Sequence, residues 1–129
     1  MEKKKVICFG EVLWDNLITG RQIGGAPLNV CYHLSKAGVK NRIVSQIGAD
    51  KNGTELLEEI KQLGIDTRYC KTTALYPTST VEVQLLDNNK VAYDIVDQVA
   101  WDYIETDTAV IEDIKTADAF VYGDRKSVV

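Results

Sequence analysis

The chain has no apolar stretch long enough to be a membrane span. The run near its start, Val6-Ile7-Cys8-Phe9, is four residues long and breaks at Gly10-Glu11, against the roughly 20 residues that cross a bilayer and the ~7–15 of a signal-peptide core. A secretory leader and membrane attachment are excluded on this reading, and a cytoplasmic location is expected. Cysteine is scarce: Cys8, Cys31 and Cys70 are odd in number and widely spaced. They fit neither a disulfide framework nor a metal site, and read as small buried hydrophobes in a reducing compartment. Basic residues do not cluster beyond Lys3-Lys4-Lys5, and the formal net charge is −4, so no nucleic-acid partner is expected. Neither G-x-x-x-x-G-K-[ST] nor G-x-G-x-x-G occurs, which removes the common phosphate-binding and dinucleotide-binding loops. Internal repeats and low-complexity segments are absent too.

What is present fits one globular domain spanning residues 1–129, with no second domain: 45% of residues are hydrophobic and 26% charged. Val6 to Phe9 reads as a strand buried on both faces of a parallel sheet. The next good helix does not begin until about Ala26. It runs from Pro27 to Ala37, with proline in its first turn, Gly38 as its stop, and Val30, Leu34 and Ala37 as the expected buried stripe, Cys31 beside them. A strand at Arg42–Ile47 and a helix at Gly53–Leu63 follow, the helix with Leu56, Leu57, Ile60 and Leu63 inward and Glu55, Glu58 and Glu59 on a solvated face. With a strand at Arg68–Lys71 the pattern is β-α-β-α-β, a parallel open sheet. A further helix near Asp107–Lys115 and the apolar strand Ala119–Tyr122 resume it.

Two stretches do not belong to that sheet. Residues 12 to 24 hold short apolar pieces bracketed by glycines, inserted between the first strand and the first helix. From Thr78 the period changes to strict alternation, with Val81, Val83 and Leu85 on one face and Thr80, Glu82 and Gln84 on the other. Asp87-Asn88-Asn89-Lys90 is a turn and Val91–Val96 returns, a hairpin. Its polar face predicts a small second sheet, built jointly from residues of about 12–24 and 78–97.

Chemistry gathers at the segment GGAPLNVCYHLSKAG, residues 24–38. Asp15, the pair Gly24-Gly25 and Asn29 all fall near the mouth of the predicted sheet, where open α/β folds bind ligands. The glycine pair allows close backbone approach, helix N–H groups lie just beyond it, and Asp15 and Asn29 offer an acceptor and a donor–acceptor suited to a polyhydroxylated ligand. The same residues also suit a flexible entry loop with Asn29 as a cap. Asp50 or Asn52 reads as the cap of the second helix and Gly53 as a packing glycine. His33 shares the face of Asn29 one turn on and reads as a rim residue, while Trp14 and Tyr93 suit either an apolar wall against a ligand or core packing.

The combination Gly10-Glu11-x-x-x-Asp15, GGAPLN and SQIGADKNG (residues 45–53) resembles the N-terminal half of the PfkB-type, ribokinase-like sugar kinases. GGAPLN with VAYDIVDQVAWD (residues 91–102) is most similar to the fructokinase branch, and order and spacing match from about Val6 to Tyr122. The resemblance implies a Rossmann-like parallel sheet flanked by helices with a small β-sheet lid. It implies ATP-dependent phosphorylation of a sugar hydroxyl, fructose to fructose 6-phosphate, with Asp15, Gly24, Gly25 and Asn29 binding the sugar. Leu13 departs from the ribokinase pattern, where a polar ligand is expected, which weakens ribose. A non-catalytic sugar-binding or assembly module and a nucleoside kinase of the same superfamily are the alternatives, and the resemblance allows a homodimer through the lid.

The resemblance also implies what is missing. The glycine-rich G-A-G-D helix start that carries the catalytic base and the nucleotide site in the family does not occur. ATP and Mg²⁺ are therefore expected in the complete enzyme, none is expected to bind this chain alone, and no catalytic or metal-binding residue is assigned. Gly123-Asp124-Arg125-Lys126 departs from the small-residue continuation the family shows. The expectation is a truncated chain without its C-terminal half, marginally stable or self-associating.

Overall fold

The computed structural model describes residues 4–85, 91–95 and 98–123, with backbone alone at 83–85 and 91–95. The predicted turn at 87–90, the residues Val96-Asp97 and the departure after Gly123 lie outside the described residues, as does the side chain of Tyr93.

Strand β1, Lys5–Gly10, is the centre of a four-stranded parallel sheet in the order β5-β4-β1-β8. Its neighbours are β4, Lys40–Gly48, and β8, Ala119–Gly123, and β5, Cys70–Thr73, lies beyond β4. Ile7 stands opposite Arg42 and Phe120, and Phe9 opposite Val44 and Tyr122. Alternation sends Val6 and Cys8 to one face and Ile7 and Phe9 to the other. Helices α1, Ala26–Lys36, and α2, Lys51–Gln62, cover the first face, where Leu28, Cys31, Leu56 and Ile60 join Cys8, Ile43 and Ile47 in the main core. Helix α3, Thr108–Lys115, covers the second through Val110, packed with Ile7 and Val44. The continuous apolar runs of β1 and β4 are explained by this double cover.

The predicted second sheet is present. Strands β2, Leu13–Leu17, β3, Gly20–Gly24, β6, Thr80–Leu85, and β7, Val91–Ile95, lie in the order β3-β2-β6-β7. The two outer pairs are antiparallel, and β2 and β6 are joined in parallel at Trp14–Thr80, Asp15–Val81 and Asn16–Glu82.

Three expectations are corrected. In α1 the buried stripe is Leu28 and Cys31, with Leu34 half-buried, whereas Val30 is 37% exposed and Ala37 is exposed. Pro27 is the reason: its ring wedges against Gly10, where an added Cβ would stand 2.8 Å from Cγ, and this sets the rotation of the helix. The third strand begins at Cys70 and not at Arg68, because Asp66 accepts from the Arg68 N–H at 3.0 Å and turns the chain before pairing starts. Glu55 is only partly solvated: it is half-buried and paired with Arg21 of β3.

At the amino ends of the strands, polar groups replace apolar ones. Arg42 donates to Asp113 and, at 3.2 Å, to Asp66. Lys5 also binds Asp113, and the Tyr69 hydroxyl donates to it at 2.9 Å. Burial works against the charge of Asp113, but Lys5, Tyr69 and Arg42 more than offset it and hold the carboxyl at about 2. The network ties α3 to the sheet.

Candidate functional site

The chain leaves β1 for β4 and β5 on one side and later crosses to β8 on the other, so the crevice outside Gly10 and Gly123 is a topological switch point. Only glycine fits at 10: φ is +144°, and an added Cβ would lie 2.4 Å from the Gly123 carbonyl oxygen. The Ser45 hydroxyl donates to the Gly10 carbonyl at 2.6 Å and fixes the strand end. A cavity of about 370 Å³ opens here between Phe9, Trp101, Ile104 and Tyr122, with Asp102 at its edge. Trp101 belongs to a short 3-10 turn, Ala100–Tyr103, held to β4 by the Gln46 amide, which donates to the Ala100 and Tyr103 carbonyls.

Of the four predicted site residues, Asp15, Gly24 and Gly25 adjoin one another, whereas the side chain of Asn29 lines a groove without Asp15. Asp15 lies in β2 on the face opposite Trp14 and reaches Gly24: a Cβ on Gly24 would stand 2.3 Å from the Asp15 Oδ2. Gly24 is thus required for the carboxylate to occupy its place. Gly25 follows with φ +115°, backed against the Glu11 carbonyl, which an added Cβ would approach to 2.3 Å. It is the N-cap of α1, and the Asn29 N–H donates to its carbonyl at 3.0 Å, closing the first turn. Gly25 brings no capping side chain and the first turn has no acid, so the positive end of the α1 dipole is presented beside Asp15 and the glycine pair. Asn29 is exposed and lines a groove of about 450 Å³ with Trp14, Ile23, Leu28 and Tyr32; Asp15 is not among the groove's walls.

Sequence reasoning quoted Glu11 only as part of a motif, yet its side chain is 1% exposed and lies against Gly25. The signal was a charged residue directly after an apolar run. Trp101 was quoted only within the 91–102 motif and Tyr122 only as the end of a strand, and neither was assigned to a site, although aromatic residues bordering strand ends mark such cavities. Trp14 packs into the core and also lines the Asn29 groove: it is 3% exposed, its indole donates to the Asn52 carbonyl at 2.9 Å, and the Arg21 guanidinium covers its ring. His33 is exposed, its ring tilted against Tyr32. All three cysteines are free and buried, and burial pushes the Cys70 thiol up to about 12, far from a reactive thiolate. Among the described residues no three His, Cys, Asp or Glu side chains cluster as a metal site would, and no helix is long and apolar enough to cross a membrane.

Comparison with known proteins agrees with this architecture. Residues 3–125 match the profile described as pfkB family carbohydrate kinase. Fructokinase-2 of Oryza sativa is 27% identical over 135 residues, covering 95% of this chain and 40% of that protein. The fructoselysine 6-kinase of Escherichia coli is 26% identical over 102 residues, covering 78% of this chain and 39% of that protein. The crystal structure of an uncharacterized sugar kinase from Pyrococcus horikoshii superposes with a TM-score of 0.78 at 26% identity, covering 92% of this chain and 44% of that one; the same kinase has been solved in complex with ATP. The chain thus spans well under half the length of these relatives.

Proposed function

The chain belongs to the PfkB family of carbohydrate kinases, and on that premise we propose that it supplies the acceptor-sugar site and lid of an ATP-dependent kinase that phosphorylates fructose, or a fructose unit, at its 6-hydroxyl. The observation that carries the reading is the junction of Asp15, Gly24 and Gly25 at the amino end of α1, beside the switch-point crevice. A carboxylate accepts from hydroxyl groups, and bare glycine backbone admits a close ligand. Asn29, from the next turn of the same helix, adds a donor and an acceptor. The names of two relatives, fructokinase-2 and fructoselysine 6-kinase, share a fructose unit.

Phosphoryl transfer needs the acceptor held in line, a carboxylate to take its proton, and positive or N–H-rich groups around the γ-phosphate. The residues described here serve the first requirement. The proton acceptor and the site for ATP and Mg²⁺ are proposed to belong to the portion of the relatives that this chain does not span. Asp15 would orient the sugar by accepting from ring hydroxyls, Gly24 and Gly25 would carry the lid's return into α1, and buried Leu13 beside Asp15 offers no polar partner that ribose would use.

Calorimetry of the chain with fructose, ribose, adenosine and ATP tests this. Heat of binding with fructose alone is expected; preference for adenosine would replace the reading with a nucleoside kinase, and ATP hydrolysis by the chain itself would contradict the division of labour. Asp15→Ala should abolish the fructose signal while leaving the unfolding midpoint nearly unchanged. If fructose still binds, the assignment of Asp15 is wrong.

A further inference from the structure

We propose that Asp50 is a positioning residue whose carboxylate pins the lid to the first turn of α2, so that the segment Gly48-Ala49-Asp50-Lys51-Asn52-Gly53 serves as the lid's anchor. A capping aspartate needs one hydrogen bond, and Asp50 has it: Oδ1 accepts from the Gly53 N–H at 2.7 Å. Two more go elsewhere. Thr78 donates its hydroxyl to Oδ1 at 2.7 Å and its backbone N–H to Oδ2 at 2.9 Å. The same hydroxyl accepts from the Gly48 N–H at 2.9 Å, so both its hydrogen-bonding roles are used in a buried position. Burial disfavours the charge of Asp50, and the Thr78 and Gly53 donors more than offset that and hold the carboxyl below its ordinary range.

Thr78 is two residues before β6, where the chain crosses from the core to the lid. Its neighbour Ser79 distributes the restraint: the Ser79 carbonyl accepts from the Trp14 backbone N–H at 3.1 Å and its hydroxyl from the Trp101 indole at 3.1 Å. The Trp14 indole returns to the same helical turn at the Asn52 carbonyl. The two inner lid strands, β2 and β6, therefore both rest on the start of α2. The glycines keep the joint closed. A Cβ on Gly53 would lie 2.1 Å from the Gly48 carbonyl and 2.7 Å from the Thr78 hydroxyl, and one on Gly48 would lie 2.6 Å from the Thr78 nitrogen.

That the anchored lid shapes a sugar site rests on the function proposed above; the anchor itself is tested without sugar. The chain has two tryptophans, Trp14 and Trp101, and both indole N–H groups bond within or beside the anchor, so their two NMR resonances report the lid. Asp50→Ser keeps a good cap but cannot hold both Thr78 donors. It is expected to shift both indole resonances while amide exchange along α2 stays protected. Thr78→Val should reproduce the shift, the double variant should add little to either, and Thr78→Ser should restore the parent spectrum. Unmoved indole resonances in Asp50→Ser, or Thr78→Ser behaving like Thr78→Val, would overturn the proposal and leave Asp50 a cap. In the same variants fructose affinity should fall roughly tenfold. Shifted indoles with unchanged affinity would keep the anchor and remove the reading of the lid as part of the sugar site.

Discussion

The two sheets are held by different physics. The inner strands of the core sheet, β1 and β4, are buried on both faces by apolar side chains, Ile7, Cys8, Ile43 and Val44 among them, and that interaction is large and non-directional. The lid sheet buries apolar side chains too, Leu13, Trp14 and Val81, but adds a few directed hydrogen bonds at its footing: Asp50 to Thr78, Trp14 to Asn52, Trp101 to Ser79. Each contributes about 1 kcal/mol net, but each also fixes an angle. On the function proposed above, a covering element over a polar ligand needs a defined pose more than it needs stability, and directed bonds supply one. Core damage should thus appear as lost folding, and lid damage as lost geometry in a chain that still folds.

The largest effect is expected from Ile43→Ala, which empties fully buried space between α1 and β4. The cost should be about 3 kcal/mol, a large share of the ~5–15 kcal/mol typical of a domain. It should be read as a fall in denaturant midpoint with core and lid signals lost together; a lid that melts first would mean the two sheets are less coupled than the shared α2 implies. Next is Asp113→Asn, which leaves Arg42 and Lys5 facing a neutral partner at a cost on the order of 2 kcal/mol near neutral pH. Because the folded carboxyl is held at about 2 against an ordinary 3.8, its contribution is complete above about pH 4 and disappears as pH falls through 2. Unfolding of the parent chain should steepen with acid over that window, and the variant's should flatten. An unchanged acid limb would mean that Asp113 is not the group responsible.

On the lid side, Gly24→Ala is the matching test. Its Cβ would displace the Asp15 carboxylate, whereas the backbone at 24 does not require positive φ. Stability should drop by about 1 kcal/mol or less, and fructose binding should weaken at least tenfold by calorimetry. Equal losses in Gly24→Ala and Ile43→Ala would erase the distinction between the two sheets.

The contrast also explains what could be read from the sequence. The core was legible because burial leaves a period: four-residue apolar runs for β1, leucines and isoleucines at helical spacing for α2. The lid's existence was legible where the period changed at Thr78, and its composition from two distant stretches followed from having no other partner for either. Its attachment was not. Asp50 and Thr78 are 28 residues apart, and nothing about a threonine between Pro77 and Ser79 announces that it will meet a helix cap. The rotation of α1 was misjudged for a similar reason, since Pro27 takes its orientation from Gly10, far away along the chain. Asp15, Gly24, Gly25 and Asn29 were grouped by a sheet-mouth argument and a family resemblance, and the contact of Asp15 with Gly24 follows from local strand pairing, whereas the aromatic crevice depends on β8 lying beside β1.

The smallest expected effect separates the two sheets most cleanly. Two surface ion pairs have equivalent positions in the two halves of the comparison: Arg21 with Glu55, from lid to α2, and Lys71 with Asp107, from β5 to the start of α3, at 2.8 Å. Exposed pairs contribute little to stability, so Arg21→Ala and Lys71→Ala should both leave the denaturant midpoint close to that of the parent. Arg21 also covers the Trp14 ring at 3.9 Å. Its removal should therefore change tryptophan emission and weaken the salt dependence of the Trp14 indole resonance, while Lys71→Ala should leave both untouched. If the two variants prove indistinguishable spectroscopically, Arg21 is a solvated charge like Lys71, and the lid's pose depends on the hydrogen bonds of Asp50, Asn52 and Ser79 alone.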